Sequence, residues 1–118
     1  MIFQEELAQK IMAGKKTATR RRMVAGKPRS PWYRHRCAYK PGQVFTVNPG
    51  RGKTNIGKAR VISVYPQALG AMTEQDARRE GCKSLKHFRE VWKAINKVFN
   101  PAELVWVVEF EPMESGEP

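Results

Sequence analysis

The chain has 118 residues and a mass of 13.5 kDa, enough for one compact domain and too little for two. Its 41% hydrophobic and 28% charged residues exclude a disordered composition, and two cysteines, Cys37 and Cys82, exclude a disulfide scaffold and point to a reducing, cytoplasmic setting. Lys and Arg number 22 against 11 Asp and Glu, a formal charge of +11.

The charge is one-sided. Fifteen of the 22 basic residues fall between Lys10 and Arg60, and no acid occurs between Leu7 and Thr73. Such a field favours a polyanionic partner, nucleic acid first; the plainer alternative is a soluble basic surface with no specific partner. No apolar run approaches the ~20 residues of a membrane span. The start, MIFQEELAQK, lacks the basic and apolar segments of a signal peptide, so no membrane partner is expected.

In chain order, Phe3, Leu7 and Ile11 share one helical face, with Gly14 as the stop. Thr17-Ala18-Thr19 starts a half-exposed strand, in a segment too charged for a core element. Met23 to Gly42 reads as a long irregular basic loop, either functional or disordered. Gln43 to Val47 and Ala59 to Tyr65 are strands, separated by an Asn48-Pro49-Gly50-Arg51-Gly52-Lys53 turn. A Thr73-x-x-Asp76 capping box opens a helix that Gly81 ends. Ser84 caps a longer helix whose Leu85, Phe88, Trp92 and Ile95 make an apolar stripe, supplemented by Val91. Leu104 to Phe110 is a buried central strand. The order predicts an α+β fold with a small, mainly antiparallel sheet or barrel. It forms a single domain over 1–113, with a frayed tail at 114–118.

The densest chemical cluster is Gly14 to Arg22, with five cations in nine residues. Mutual repulsion and any desolvation there favour a neutral lysine, which serves as base or nucleophile. Thr19 lies three residues from Lys16, within reach if the backbone is extended or turned. On composition alone, a solvated phosphate-binding strip is the favoured reading. Of the acids Glu74, Asp76 and Glu80, the first two complement a helix N-terminus. Glu80, at the helix end, is better explained as a partner that orients a Lys or Arg. The turn with Arg51 and Lys53 is no Walker A loop, yet its amides and cations suit phosphate. Trp32 and Tyr33 among arginines suit either base stacking or anchoring on the core. His35, Cys37, Cys82 and His87 lack a zinc-site spacing, so no metal or cofactor is expected.

Gly14-Lys15-Lys16-Thr17-Ala18-Thr19-Arg20-Arg21 resembles the G-x-K-T-x-T-x-R signature of ASCH domains. Ala77-Arg78-Arg79-Glu80-Gly81 resembles their A-x-x-E-G helix end, and Phe88, Trp92 and Val105 to Phe110 resemble their closing segment. The resemblance spans nearly the whole chain and implies a PUA-like β-barrel with flanking helices and a cleft for RNA or a nucleoside. Similarity to the N4-acetylcytidine amidohydrolases of this family implies Lys16 as general base, Thr19 as nucleophile and Glu80 as orienting or proton-shuttling carboxylate, without metal. It also implies that Arg21 shapes the cleft or stabilises oxyanion charge. The chain departs from those enzymes in its basic insertion at about 23–41 and in its three consecutive arginines. That excess of charge favours a polymeric or phosphorylated ligand over a free nucleoside.

The leading expectation is a monomeric protein binding RNA or a modified nucleotide in a basic cleft. Lys15, Arg20, Arg21, Arg22, Trp32, Tyr33, Arg36, Arg51 and Lys53 are the candidate contacts. The alternatives are amidohydrolase action through Lys16, Thr19 and Glu80, ribonuclease action, and a non-catalytic protein that docks on an acidic partner.

Overall fold

The structure, a computed structural model, describes residues 1–113; the tail expected to fray lies outside the described residues. Helix α1 (Glu5–Met12) has acids in its first turn and Lys10 in its last, and buries Ala8 and Ile11. Both charge placements complement the helix dipole. Gly14, with φ of 76°, turns the chain out of it. Six strands follow: β1 (Ala18–Arg22), β2 (Trp32–Tyr33), β3 (Arg36–Cys37), β4 (Val44–Val47), β5 (Gly57–Ala68) and β6 (Leu104–Pro112). A single 3-10 turn (Leu69–Ala71), α2 (Glu74–Arg79) and α3 (Leu85–Asn96) lie between β5 and β6.

The main sheet is antiparallel throughout, in the order β1-β6-β5-β4. Strand β6 is central, as its apolar run predicts, and buries Val105, Val107, Val108 and Phe110. A register shift between Val61 and Ser63 bends the long β5. The N-terminal segment spans the two sheet edges: Phe3 N donates to Asn48 O at 2.9 Å and Arg21 Nη2 to Ile2 O at 3.0 Å. This gives the expected α+β class, a curled antiparallel sheet with short flanking helices. One core lies inside the curl, where Phe3, Phe45 and Phe110 pack ring against ring. The other joins α2 and α3 to the sheet through Met72, Ala77, Phe88, Trp92 and Val105.

Four expectations are corrected. Strand β1 is not half-exposed: Ala18, Thr19 and Arg20 are all buried, and so is Lys16 before it, because acids from α2 neutralise the strip. The segment at 23–42 is mostly turns and bends but not irregular throughout. It holds the β2–β3 hairpin, tied to the sheet by Trp106 Nε1 donating to Tyr33 O at 3.0 Å and by a Val24–Tyr33 bridge. Strand β5 continues past Tyr65 through Pro66. Ile95 does not join the buried stripe of α3 but is 56% exposed, on the part of the helix that lines a cleft.

Candidate functional site

The local sequence delivers Lys16 and Glu80 to one point. After α1, Lys15 N and Lys16 N both donate to Lys10 O (2.8 and 3.1 Å), which folds the chain back under the helix. Thr17 then bridges two elements, its N–H donating to Arg79 O at 2.7 Å and its carbonyl accepting from Phe110 N at 2.9 Å. Glu80 is the C-cap of α2, whose start is fixed by the reciprocal Thr73–Asp76 capping box. The capping box and Gly81 together therefore set where Glu80 sits.

The two meet at the floor of a cleft of about 680 Å³, walled by α1, β1, the end of α2 and α3. Lys16 is 2% exposed and Glu80 6%. Lys16 Nζ donates to Ala18 O at 2.8 Å, Glu80 O at 2.9 Å and Glu80 Oε1 at 3.2 Å. Arg20 Nη1 donates to Glu80 Oε2 at 2.8 Å, and its Nε and Nη2 hold Gln67 Oε1 at 3.2 and 2.7 Å. Asp76 Oδ2 stands 3.8 Å from Arg20 Nη2. One carboxylate thus separates two buried cations, and the hydrogen bonds around it offset their desolvation. Burial pushes the Lys16 pKa below its ordinary value of 10.5; the charge and hydrogen bond of Glu80 pull it back up in part, while Arg21 lowers it further.

Arg21 lies between two rings, its guanidinium carbon 5.1 Å from the Phe3 centroid and 5.6 Å from that of Trp32. Its Nε is buried without a hydrogen-bond partner among the described residues, and burial lowers its pKa. Thr19 is buried and lines the same cleft. Opposite, Phe88, Trp92 and Ile95 of α3 provide an apolar wall. A polar floor, a stacked cation and aromatic walls suit a planar ligand with few polar groups, such as a nucleobase.

A family model described as the ASCH domain matches residues 1–114. The chain belongs to the ASCH domain family. Solved structures agree in fold. An ASCH domain from Lactobacillus crispatus superposes with a TM-score of 0.73 at 19% identity, covering 91% of this chain and 70% of that one. A protein from Enterococcus faecalis gives 0.64 at 21%, covering 92% and 68%. An ASCH protein from Zymomonas mobilis gives 0.62 at 16%, covering 95% and 67%. No curated protein matches the chain at a significant level. Among the described residues, no helix is long and apolar enough to cross a membrane.

The residues expected to act divide within this ASCH domain. Lys16, Thr19 and Glu80 line one cleft, joined by Arg20, Arg21, Arg22 and Trp32. All three arginines have protein partners, Arg21 through the Ile2 carbonyl. Arg20 is buried and clamps Glu80 and Gln67, so it is not the open phosphate contact expected of it; Arg22 pairs with Glu103 at 2.8 Å. Lys15, Arg36, Arg51 and Lys53 are exposed and lie outside the cleft. Tyr33 stands edge-on to His35 outside the cleft. Trp32 stacks on Tyr39 with centroids 5.0 Å apart, which anchors it on the core, and also lines the cleft. Gln67 went unread, because nothing in its neighbourhood marks it as a clamp. Cys82 and His87 also line the cleft, a placement their spacing in the sequence did not suggest. Burial, and then Glu80, push the Cys82 thiol up. His87 Nδ1 accepts from Lys83 N at 3.0 Å, which orients its ring.

Proposed function

We propose that this ASCH domain binds RNA through a modified nucleotide whose base enters the cleft, and that Lys16, Thr19 and Glu80 hydrolyse an acyl amide on that base. The observation that carries the reading is the buried Lys16–Glu80 pair on the floor of a cleft that Thr19 also lines. A lysine whose pKa is lowered by burial is a better supplied base than an ordinary lysine, because more of it is neutral at a given pH. Lys16 acts as the neutral amine, the form that burial favours, with Glu80 Oε1 3.2 Å away to orient it. The Thr19 hydroxyl then attacks the acyl carbonyl carbon as its proton moves to Lys16. The tetrahedral adduct collapses, the C–N bond breaks, and Lys16 returns the proton to the leaving amine. Water attacks the Thr19 ester, giving its proton to Lys16 and from there to the Thr19 oxygen as the acid departs. Arg20 holds the second oxygen of Glu80 throughout.

The test is incubation with N4-acetylcytidine, free and within an oligoribonucleotide, with chromatography for the deacetylated product. Wild type should release cytidine and acetate, while Lys16→Ala and Glu80→Gln should lose turnover at least a hundredfold. Unchanged turnover in Lys16→Ala removes it as the base. A second reading, RNA binding without chemistry, is favoured by one observation: all three Lys16 protons are donated to protein oxygens in the resting site. Binding of RNA with no turnover by folded wild type would select it.

A further inference from the structure

The basic insertion carries a second depression, of about 370 Å³, around the β2–β3 hairpin. Its lining includes Arg29, Arg36 and Lys40. All three side chains are exposed, and none makes an ion pair among the described residues. The scaffold beneath them is held firmly. Val24 N donates to Trp32 O at 2.9 Å, Arg34 N to Val24 O at 3.0 Å and Ala38 N to Pro31 O at 2.8 Å. Trp32 stacks on Tyr39, which meets Phe45 of the core edge-on. A backbone so anchored keeps like charges together against their repulsion, an arrangement that an anionic partner relieves.

The depression and the cleft are neighbours across a single strand pair. Trp32 lines the cleft and Cys37 lines the depression, and these two are cross-strand partners, so their Cα atoms lie about 5 Å apart. Arg36 adjoins Cys37 in β3 and pairs with Tyr33 on the other face of the hairpin, so a chain leaving the cleft over Trp32 crosses this strand pair to reach it.

We infer that Arg29, Arg36 and Lys40 form a phosphate subsite for the single-stranded RNA flanking the nucleotide in the cleft, which makes the substrate a polymer rather than a free nucleoside. The inference rests on the RNA-binding reading of the cleft, not on its hydrolytic chemistry. A phosphate outside the cleft is recognised by charge alone, so the subsite tracks the backbone without reading sequence.

The experiment compares wild type with Arg29→Gln/Arg36→Gln/Lys40→Gln, measuring the Kd of a hexaribonucleotide with a central N4-acetylcytidine from 50 to 300 mM salt, and of free N4-acetylcytidine. The triple variant should weaken hexamer binding at least tenfold and flatten the slope of log K against log salt by about two, at roughly 0.7 per single-strand phosphate contact. Its affinity for the free nucleoside should stay within twofold, and Arg29→Lys/Arg36→Lys should keep most of the hexamer affinity. Unchanged hexamer affinity and slope overturn the subsite. Equal weakening of the nucleoside overturns it too, because the insertion would then be supporting the cleft wall. Failure of wild type to cleave while the hexamer pattern holds defeats the hydrolytic reading and leaves the subsite standing.

Discussion

Lys16 is a charge placed almost beyond the reach of water, and its partners are not equivalent. Glu80 neutralises both Lys16 and Arg20, whereas removing Lys16 leaves the Arg20–Glu80 pair intact. Glu80→Ala is therefore expected to destabilise by about 3–5 kcal/mol, because it leaves buried Lys16 without a counter-ion and Arg20 with only Asp76 at 3.8 Å. Lys16→Met fills the same space without charge and should stay within about 2 kcal/mol of wild type. Denaturant unfolding of the two variants measures both, and equal losses would contradict the asymmetry. The pH dependence has a definite sign. The folded-state pKa of Lys16 lies below 10.5, so between that lowered value and 10.5 the unfolded chain binds more protons than the folded one. The contribution of Lys16 to stability is present above 10.5 and lost as pH falls through the folded value. Any advantage of Lys16→Met over wild type in Tm should accordingly shrink as pH rises through the lowered folded-state pKa towards 10.5. The catalytic reading requires kcat/KM for deacylation to rise with pH through an apparent pKa below that of an ordinary lysine.

At the scale of elements, α2 is the device that delivers Glu80, and Gly81 is its sharpest constraint. Gly81 has φ of +88°, and a Cβ there would meet Lys10 Cδ at 3.3 Å and Lys16 Cβ at 3.4 Å. Gly81→Ala should cost about 1–2 kcal/mol through the left-handed backbone alone. It should also lower turnover more than an equally destabilising change far from the cleft, because relief of the strained backbone at 81 shifts the adjacent Glu80. Thermal melts and kcat for Gly81→Ala and for a distant control separate the two effects. The capping box, the Ser84 cap and strands β4 and β6 were all legible, because each is decided by residues adjacent in sequence. The long reach of β5 was not. Pro66 reads as a stop, yet it is tolerated there because β4 pairs with β5 only as far as Arg60 and leaves that side of the strand free. The hairpin was illegible because two-residue strands have no pattern of their own and depend on Trp106 and Val24 from elsewhere. The burial of Lys16 and Arg20 was hidden for a similar reason: composition advertises a solvated strip, and the acid that neutralises it is 64 and 60 residues away. The signature motif pointed to these residues where composition did not.

The whole molecule carries +11, but that charge does not act as one. The chain measures 41 × 34 × 25 Å. The Debye length is about 8 Å at physiological salt and about 30 Å at 0.01 M. Patches at opposite ends are therefore electrostatically independent in the first condition and summed in the second. Lys16 and Arg20 contribute little to the far field, since Glu80 and Asp76 neutralise them at short range. The exposed cations remain, and Arg51 and Lys53 stand on a turn outside the cleft. Their role as direct contacts and their role in steering make different predictions. If they only steer, Arg51→Glu/Lys53→Glu slows association of single-stranded RNA several-fold at 10 mM salt and by less than twofold at 150 mM, with dissociation unchanged. If they touch phosphate, dissociation accelerates at both salts. Stopped-flow fluorescence with a labelled oligoribonucleotide separates these outcomes. The geometry favours steering, because the turn reaches the cleft only through Pro49 and Gly50, while its two cations lie outside. Turnover of saturating free nucleoside should be the same in this variant as in wild type, since a neutral ligand does not respond to that field.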